Sequence, residues 1–148
     1  MLQLTKRTEY GLIALSHLVD RRGEFVSVRE ICERFPVPRR LVAEVLKDLC
    51  RKGLVESQRG ATGGYALSRP AESITVGTVV GALEGEPRLA SCHVGDHPAG
   101  DPCDVAGVCP IRDPILRLRI EFWSLLERMS LRDLVREPAR LPVGAAPL

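Results

Sequence analysis

Three of the five cysteines lie close together in the second half of the chain. Ten residues separate Cys92 from Cys103, and five separate Cys103 from Cys109. The glycines and prolines among them exclude a long helix or a central strand. A long loop is uncommon inside a compact domain and is usually functional or disordered. Thiolates are soft ligands, so we expect this loop to close around a metal or a cluster.

The identity of that metal is left open by the residues alone. His93 and His97 lie in the same loop, and three cysteines with one of them would satisfy tetrahedral zinc. An iron–sulfur cluster, 2Fe-2S or 4Fe-4S, and a thiol switch without any metal are the alternatives. Cys32 and Cys50 fall on apolar faces of predicted helices, where we expect small buried hydrophobes rather than ligands.

Length and composition limit the class of protein. A chain of 148 residues, 45% of them hydrophobic, suits one small domain with an appendage. It has no apolar run near the roughly 18 residues needed to span a bilayer. The polar start has no signal-type pattern, and an odd number of cysteines fits a disulfide framework poorly. We therefore expect a cytoplasmic protein without a membrane partner. We do not expect an enzyme, because no nucleophile–base pair or phosphate-binding motif is readable.

The charge is unevenly divided between the two halves of the chain. Residues 1–69 hold 13 Lys or Arg against 8 Asp or Glu, whereas residues 70–148 hold 8 against 11. A basic first half is the pattern that a phosphate-binding surface leaves.

Apolar residues at helical spacing predict three helices in that basic half. The first runs from about Lys6 to Asp20, and the third from about Arg39 to Lys52. The second is announced by a capping box, Ser27 with Glu30, and is stopped by Pro36 and Pro38. Two short helices with a tight connection are typical of a helix-turn-helix, although a plain helical hairpin has the same pattern.

The following segment favours DNA binding. Leu54–Ser57 and Tyr65–Ser68 alternate as short strands, which predicts a β-hairpin. A hairpin directly after a helix-turn-helix is a wing, so we predict a mainly α fold with a small β wing, a winged helix-turn-helix. The expected partner is then double-stranded DNA. The expected DNA-binding residues are Arg39, Arg40, Arg59, Gly60, Gly63 and Gly64.

Two further helices follow, one on each side of the cysteine loop. Thr75 caps a short helix that ends at Gly85, and Asp113 with Pro114 is predicted to start a long one. The long helix carries a heptad seam, formed by Ile115, Leu118, Phe122, Leu125 and Met129. A second apolar stripe runs beside that seam, formed by Leu116, Ile120, Trp123 and Leu126. Both must be buried, so we predict a homodimer in which one stripe packs on its own domain and the seam packs on a second subunit.

Four regions result from this division of the chain. Residues 1–85 form the winged helix-turn-helix domain, and residues 86–112 form the cysteine-bearing sensor loop. Residues 113–136 form the dimerisation helix and a short last helix that restarts at Ser130. Residues 137–148, rich in proline, are expected to be a disordered tail.

The chain resembles the Rrf-two family of bacterial winged-helix regulators over nearly its whole length. The motifs that carry the resemblance are T-K-R-T-E-Y-G-L near the start, G-L-V-E-S-Q-R-G-A-T-G-G-Y around the wing, three loop cysteines and L-R-D-L-V near the end. The resemblance implies a homodimer joined through the long helix, operator DNA as partner and, in cysteine-bearing members, an iron–sulfur cluster as sensor.

Three cysteines leave one coordination position of a four-ligand cluster unfilled. IscR-like members carry a histidine three positions after the third cysteine, where this chain has Arg112, which cannot be a ligand. NsrR-like members use a carboxylate near the N-terminus, and the matching residue is Glu9. His97 is the rival. We therefore expect a transcriptional regulator whose operator affinity is controlled by a cluster on Cys92, Cys103, Cys109 and Glu9, with a zinc-stabilised or thiol-switch DNA-binding protein as the alternative.

Overall fold

A computed structural model of the chain describes residues 3–85, 105 and 108–135. Its first half folds into three helices and a hairpin, namely α1 (Lys6–Val19), α2 (Val28–Arg34), α3 (Arg39–Arg51), β1 (Val55–Gln58) and β2 (Gly64–Leu67). The second half adds α4 (Val76–Leu83), α5 (Arg112–Arg128) and α6 (Leu131–Val135). The mainly helical fold with a two-stranded wing is the one predicted. The loop residues Cys92, His93, His97 and Cys103 and the tail 137–148 lie outside the described residues.

Side-chain caps explain the starts of several helices, among them α1, α2 and α6. The Thr5 hydroxyl accepts from the Thr8 amide at 3.3 Å, and the Ser27 hydroxyl accepts from the Glu30 amide at 3.1 Å. The expected capping box at Ser27 is only half formed, because the Glu30 carboxylate lies against Arg21 and His17 instead. A reciprocal box does form at the start of α6. There the Ser130 amide donates to Asp133 at 3.0 Å and the Asp133 amide donates to the Ser130 hydroxyl at 3.2 Å.

The start of α5 corrects the sequence prediction. The helix begins at Arg112, with Ile111 in the capping position and no side-chain cap. Asp113 therefore lies inside the first turn rather than at the cap, whereas Pro114 lies in the first turn, as predicted. Proline is tolerated there because the first amides of a helix have no intrahelical acceptor.

One apolar core joins the helices of the first half to α6. It contains fully buried residues from several elements, among them Leu15, Ile31, Val45, Leu49, Ile74 and Leu131. Cys32 and Cys50 are packed against this core but only partly buried, so they are less enclosed than expected.

The wing is tied to the helical domain through its second strand. Strand β1 pairs with β2 in antiparallel register, with Val55 opposite Leu67 and Gln58 opposite Gly64. Each observed strand is displaced by one residue from its predicted bounds. Tyr65 also exchanges two backbone hydrogen bonds with Val26, at 2.9 and 2.8 Å, which gives the hairpin a third backbone partner ahead of α2.

Candidate DNA interface and metal centre

Helix α3 presents one basic, outward face. Val42, Val45, Leu46 and Leu49 are fully buried, and this fixes the rotation of the helix. The exposed positions lie on the side opposite the buried residues, as the helical repeat requires. They are Arg39, Arg40, Glu44, Lys47 and Arg51. The Arg40 side chain is 94% exposed and its Nε donates to Glu44 Oε1 at 3.1 Å. The predicted residues Arg39 and Arg40 therefore lie where a base or a phosphate can reach them.

Lys47 belongs to this same face but was not among the predicted DNA-binding residues. It lies seven residues after Arg40, which is about two helical turns. The spacing of the buried residues would have identified it, since any position seven after an exposed one on a helix returns to the same side.

The wing carries Arg59 and three glycines, one required by its backbone conformation and two by close backbone contacts. Gly60 has φ of +113°, a conformation that L side chains rarely adopt. A Cβ atom on Gly63 would lie 2.3 Å from the carbonyl oxygen of Gln58, and one on Gly64 would lie 2.3 Å from that of Val26. These contacts explain why glycines occupy the loop. Their contact with DNA, and that of Arg59, stays a prediction.

Ion pairs and a thiol secure α3 against its neighbours. Asp48 on its partly buried side pairs with Arg7 of α1 and with Arg51 at 2.5 Å. At the end of the helix, Cys50 Sγ lies 3.8 Å from the Ser57 hydroxyl of β1. Burial raises the pKa of the nearby Tyr65 phenol, and Cys50 adds to that effect. Helix α3 is thereby connected to both α1 and the wing.

Two of the four expected cluster ligands lie in the described part of the chain. Cys109 is a free, half-buried thiol, three residues before the start of α5. Glu9 lies in the first turn of α1, where its carboxylate is 34% exposed and accepts from Lys6 Nζ at 2.6 Å. The described residues contain no group of three or more potential metal ligands, and Cys92, Cys103 and His97 fall outside them. The proposed ligand set stays a prediction.

The first turn of α1, which contains Glu9, is hydrogen-bonded to Glu84, the residue directly after α4. The Thr5 amide and the Thr5 hydroxyl both donate to Glu84 Oε1, at 2.9 and 2.8 Å. Partial burial, the largest single influence, raises the pKa of the Glu84 carboxyl. The hydroxyls of Thr8 and Thr5 and the Thr5 amide together outweigh it, and the net pKa is lowered. The start of α1 is therefore held beside the start of the cysteine-bearing segment.

Among the described residues, helix α5 is covered on the side that faces α4. Gly81 of α4 faces the Trp123 ring, and Gly77 faces the Glu127 side chain, so close that a Cβ atom at either glycine would touch it. None of the residues of α5 is fully buried. On the other side of α5, Leu118 is 55% exposed and Leu125 is 50% exposed, and Met129 is exposed as well. Ile115 and Phe122, the remaining residues of the predicted seam, are half-buried.

The second apolar stripe is only partly covered. Trp123 packs against α4, as expected for a stripe that faces its own domain, but Ile120 is 58% exposed.

Comparison with known proteins identifies the family. The family model Rrf2, described as an iron-dependent transcriptional regulator, matches residues 4–137. The chain belongs to the Rrf2 family of transcriptional regulators. The family indicated by the sequence motifs is thereby confirmed, and so is the expectation of a DNA-binding regulator rather than an enzyme.

Individual relatives extend this result. The chain is 34% identical to the HTH-type transcriptional repressor NsrR of Streptomyces coelicolor over 93% of its length and 90% of that protein. Its fold is similar to CymR of B. subtilis, whose structure is titled as that of the global cysteine regulator, with 27% identity, a TM-score of 0.72 and coverage of 91% and 97% of the two chains. It is also similar to T. potens IscR, with 25% identity, a TM-score of 0.71 and coverage of 97% and 94%. Within the described residues, no helix has the length and apolar character needed to cross a membrane.

Proposed function

We propose that this Rrf2-family regulator controls its operator affinity through an iron–sulfur cluster held by Cys92, Cys103, Cys109 and Glu9. The observation that carries the proposal is the pair of hydrogen bonds from Thr5 to Glu84. These bonds hold the first turn of α1, which contains Glu9, beside Glu84, just before the cysteine-bearing segment. The described ligands fit the group, because a free thiol and a partly exposed carboxylate are both able to bind iron.

The ligand set is suited to sensing. A bound cluster would supply a centre that reacts with oxidants or nitric oxide. Carboxylate is a harder ligand than thiolate, so Glu9 would form the weakest corner of the site. Lys6 already donates to the Glu9 carboxylate, and this hydrogen bond raises the pKa of Lys6. The ammonium group would therefore be ready to pair with Glu9 whenever the carboxylate leaves the cluster.

The same proposal includes a homodimer formed through α5. Leu118 and Leu125 are seven residues apart and both are half exposed, while Trp123 on the other side contacts α4. Positions 123 and 125 differ by about 200° around a helix, so one side faces the domain and the opposite side faces outward. A heptad-spaced apolar row of this kind is the pattern that pairs two helices.

Dimerisation gives the regulator its DNA-binding geometry. Two copies of α3, each with Arg40 and Lys47 outward, would meet successive major grooves of an operator, and Arg59 in each wing would lie near the flanking backbone. Half-sites one helical turn apart tolerate little change in the spacing of the two recognition helices. A change at the cluster that shifts one domain against α5 would therefore alter operator affinity.

A thiol switch or a zinc site is the alternative. Purification without oxygen, followed by absorbance, iron, sulfide and zinc analysis, separates the three. Visible absorbance with stoichiometric iron and sulfide supports the cluster. Colourless protein with stoichiometric zinc, or metal-free protein whose operator affinity changes with thiol oxidation, would replace it.

A further inference from the structure

We propose that Glu84 is a positioning residue that transmits the state of the cysteine-bearing segment to the DNA-binding helices. This role rests on the regulatory function proposed above, and goes beyond it by naming the contact through which the segment acts. Glu84 lies directly after the last residue of α4, and the next residue, Gly85, has φ of +81°. The chain therefore turns away from α4 immediately after the Glu84 side chain.

The first part of the path is the contact between Glu84 and the start of α1. A single carboxylate oxygen accepts from both the amide and the hydroxyl of Thr5, at 2.9 and 2.8 Å. The same Thr5 hydroxyl accepts from the Thr8 amide and so caps α1. Negative charge is favourable at the positive end of a helix dipole. A displacement of Glu84 therefore acts on the cap of α1 and on the turn that carries Glu9.

The second part of the path joins α1 to the recognition helix. The Leu83 methyl group of α4 and the Val45 methyl group of α3 both press on Gly11, and a Cβ atom there would lie 2.9 and 3.1 Å from them. Two turns of α1 therefore separate a polar contact with α4 from an apolar one that also involves α3. Arg7, between these contacts, is ion-paired with Asp48 of α3. We therefore expect a movement of the start of α1 to move α3 as well.

The other end of α4 is anchored to the proposed dimerisation helix. The Thr75 hydroxyl donates to Glu127 at 2.8 Å, and the Val76 amide donates to the Met129 carbonyl at 2.8 Å. Together with the Gly81–Trp123 contact, these bonds fix α4 on α5. Helix α4 is therefore held at its start by α5 and at its end by the contact between Glu84 and Thr5. A displacement of the chain after Gly85 would reach the DNA-binding domain through that contact.

The test uses the full-length protein and two variants of one side chain. Glu84→Met removes the acceptor at similar length, whereas Glu84→Gln keeps a carbonyl oxygen for Thr5 and serves as the conservative rescue. Glu24→Met is the matched control, because Glu24 is also an exposed glutamate and pairs only with Arg21, three residues before it. The first measurement is amide hydrogen exchange of Thr8 and Glu9 in chelator-treated protein. The second is the ratio of operator dissociation constants between anaerobically reconstituted and chelator-treated protein.

We expect Glu84→Met to raise exchange at these amides roughly fivefold, because the first turn opens locally more often. It should also move the operator ratio at least about threefold toward one, since coupling between two sites is measured by such a ratio. In both measurements Glu24→Met should stay near wild type, and Glu84→Gln, which keeps the acceptor but loses the charge, should stay closer to wild type than Glu84→Met does. Faster exchange with a wild-type ratio would overturn the coupling role alone. A ratio of one in the wild-type protein would overturn the proposed sensing function, and with it the coupling.

Discussion

A methyl group added at Gly64 would lie 2.3 Å from the carbonyl oxygen of Val26. Strand β2 meets the segment before α2 there because Tyr65, the next residue, exchanges two backbone hydrogen bonds with Val26. Backbone atoms held by their own hydrogen bonds cannot move aside as a flexible side chain can. The close approach therefore fixes the wing against the segment that leads into α2.

Gly64→Ala should consequently detach the wing from this segment and destabilise the domain. Overpacking against a fixed backbone costs about 3 kcal/mol, near the upper end of the usual range. Gly60→Ala is the matched comparison in the same loop: its φ of +113° is strained for alanine, but the space around it is open. We expect a cost of only about 1–2 kcal/mol there. Urea unfolding of both variants measures the difference, and equal costs would contradict the steric explanation.

Local signals in the sequence predicted most of the fold. Helical periodicity located α1 and α3 to within a residue at each end, because apolar spacing and terminating glycines such as Gly53 are local features. The start of α5 was wrong because Asp113 and Pro114 are favourable at more than one early helical position. The capping box at Ser27 was only half right, since Glu30 pairs with His17 of α1 and with Arg21 just beyond that helix, and no local pattern reveals these contacts.

The candidate site was less predictable than the fold. Contacts between residues distant in the chain, such as Thr5 with Glu84 and Arg7 with Asp48, depend on how the helices pack. Spacing along one helix carries no information about them. Arg39 and Arg40 were predicted from their place at the start of a helix, whereas Lys47 was missed although the apolar spacing of that helix already fixes its rotation. The cysteine ligands were chosen by residue type, and their assembly stays a prediction.

The Thr5–Glu84 contact should weaken in acid. Its hydrogen bonds lower the pKa of the Glu84 carboxyl below its usual 4.5. A lowered pKa stabilises the folded state above the unfolded value and ceases to do so as the pH falls through the folded value. Because Glu84 is mostly solvent-exposed, we expect less than about 1 kcal/mol. Urea unfolding of wild type and Glu84→Gln should differ at pH 7 and converge well below pH 4, and a constant difference would contradict this reading.

Helix α3 and the wing should make different kinds of DNA contact. Arg40 lies at the start of α3, the end that a helix-turn-helix presents to base edges. Arg40→Ala should cost roughly 1–3 kcal/mol at one base pair and relax specificity there. Arg59→Ala should weaken binding to all sequences and reduce the dependence of log affinity on log salt by about one.

Operator titrations at several salt concentrations measure both effects. Arg22→Ala is the control, because Arg22 is an exposed arginine that pairs with Glu72 at 3.2 Å and belongs to neither element. All three variants should fold, since the altered side chains are exposed. Wild-type affinity in both Arg40→Ala and Arg59→Ala across the salt range would rule out this surface.

The dimer should depend on the seam of α5 and not on exposed apolar residues in general. Leu125→Glu places a charge in the middle of the seam and should raise the dimer dissociation constant at least about 100-fold, because burying an unpaired charge costs several kcal/mol. Ile120→Glu is the matched control: Ile120 is 58% exposed and Leu125 is 50% exposed, but they lie on different sides of the helix. Sedimentation equilibrium should show monomers only for Leu125→Glu. Dimers in that variant would place the interface elsewhere.

The fourth ligand of the cluster distinguishes Glu9 from His97. Glu9 is partly exposed in the first turn of α1, next to the cap that Glu84 holds, so a ligand bond there would act directly on the helix linked to α3. Glu9→Ala should change the visible spectrum after anaerobic reconstitution and lower operator discrimination between cluster-bound and chelated protein. Lys6→Ala removes the same 2.6 Å ion pair but keeps the carboxylate, and should leave the spectrum unchanged. If His97→Ala changes the spectrum while Glu9→Ala does not, His97 holds the cluster, and the link from cluster to α1 has to be made by another residue.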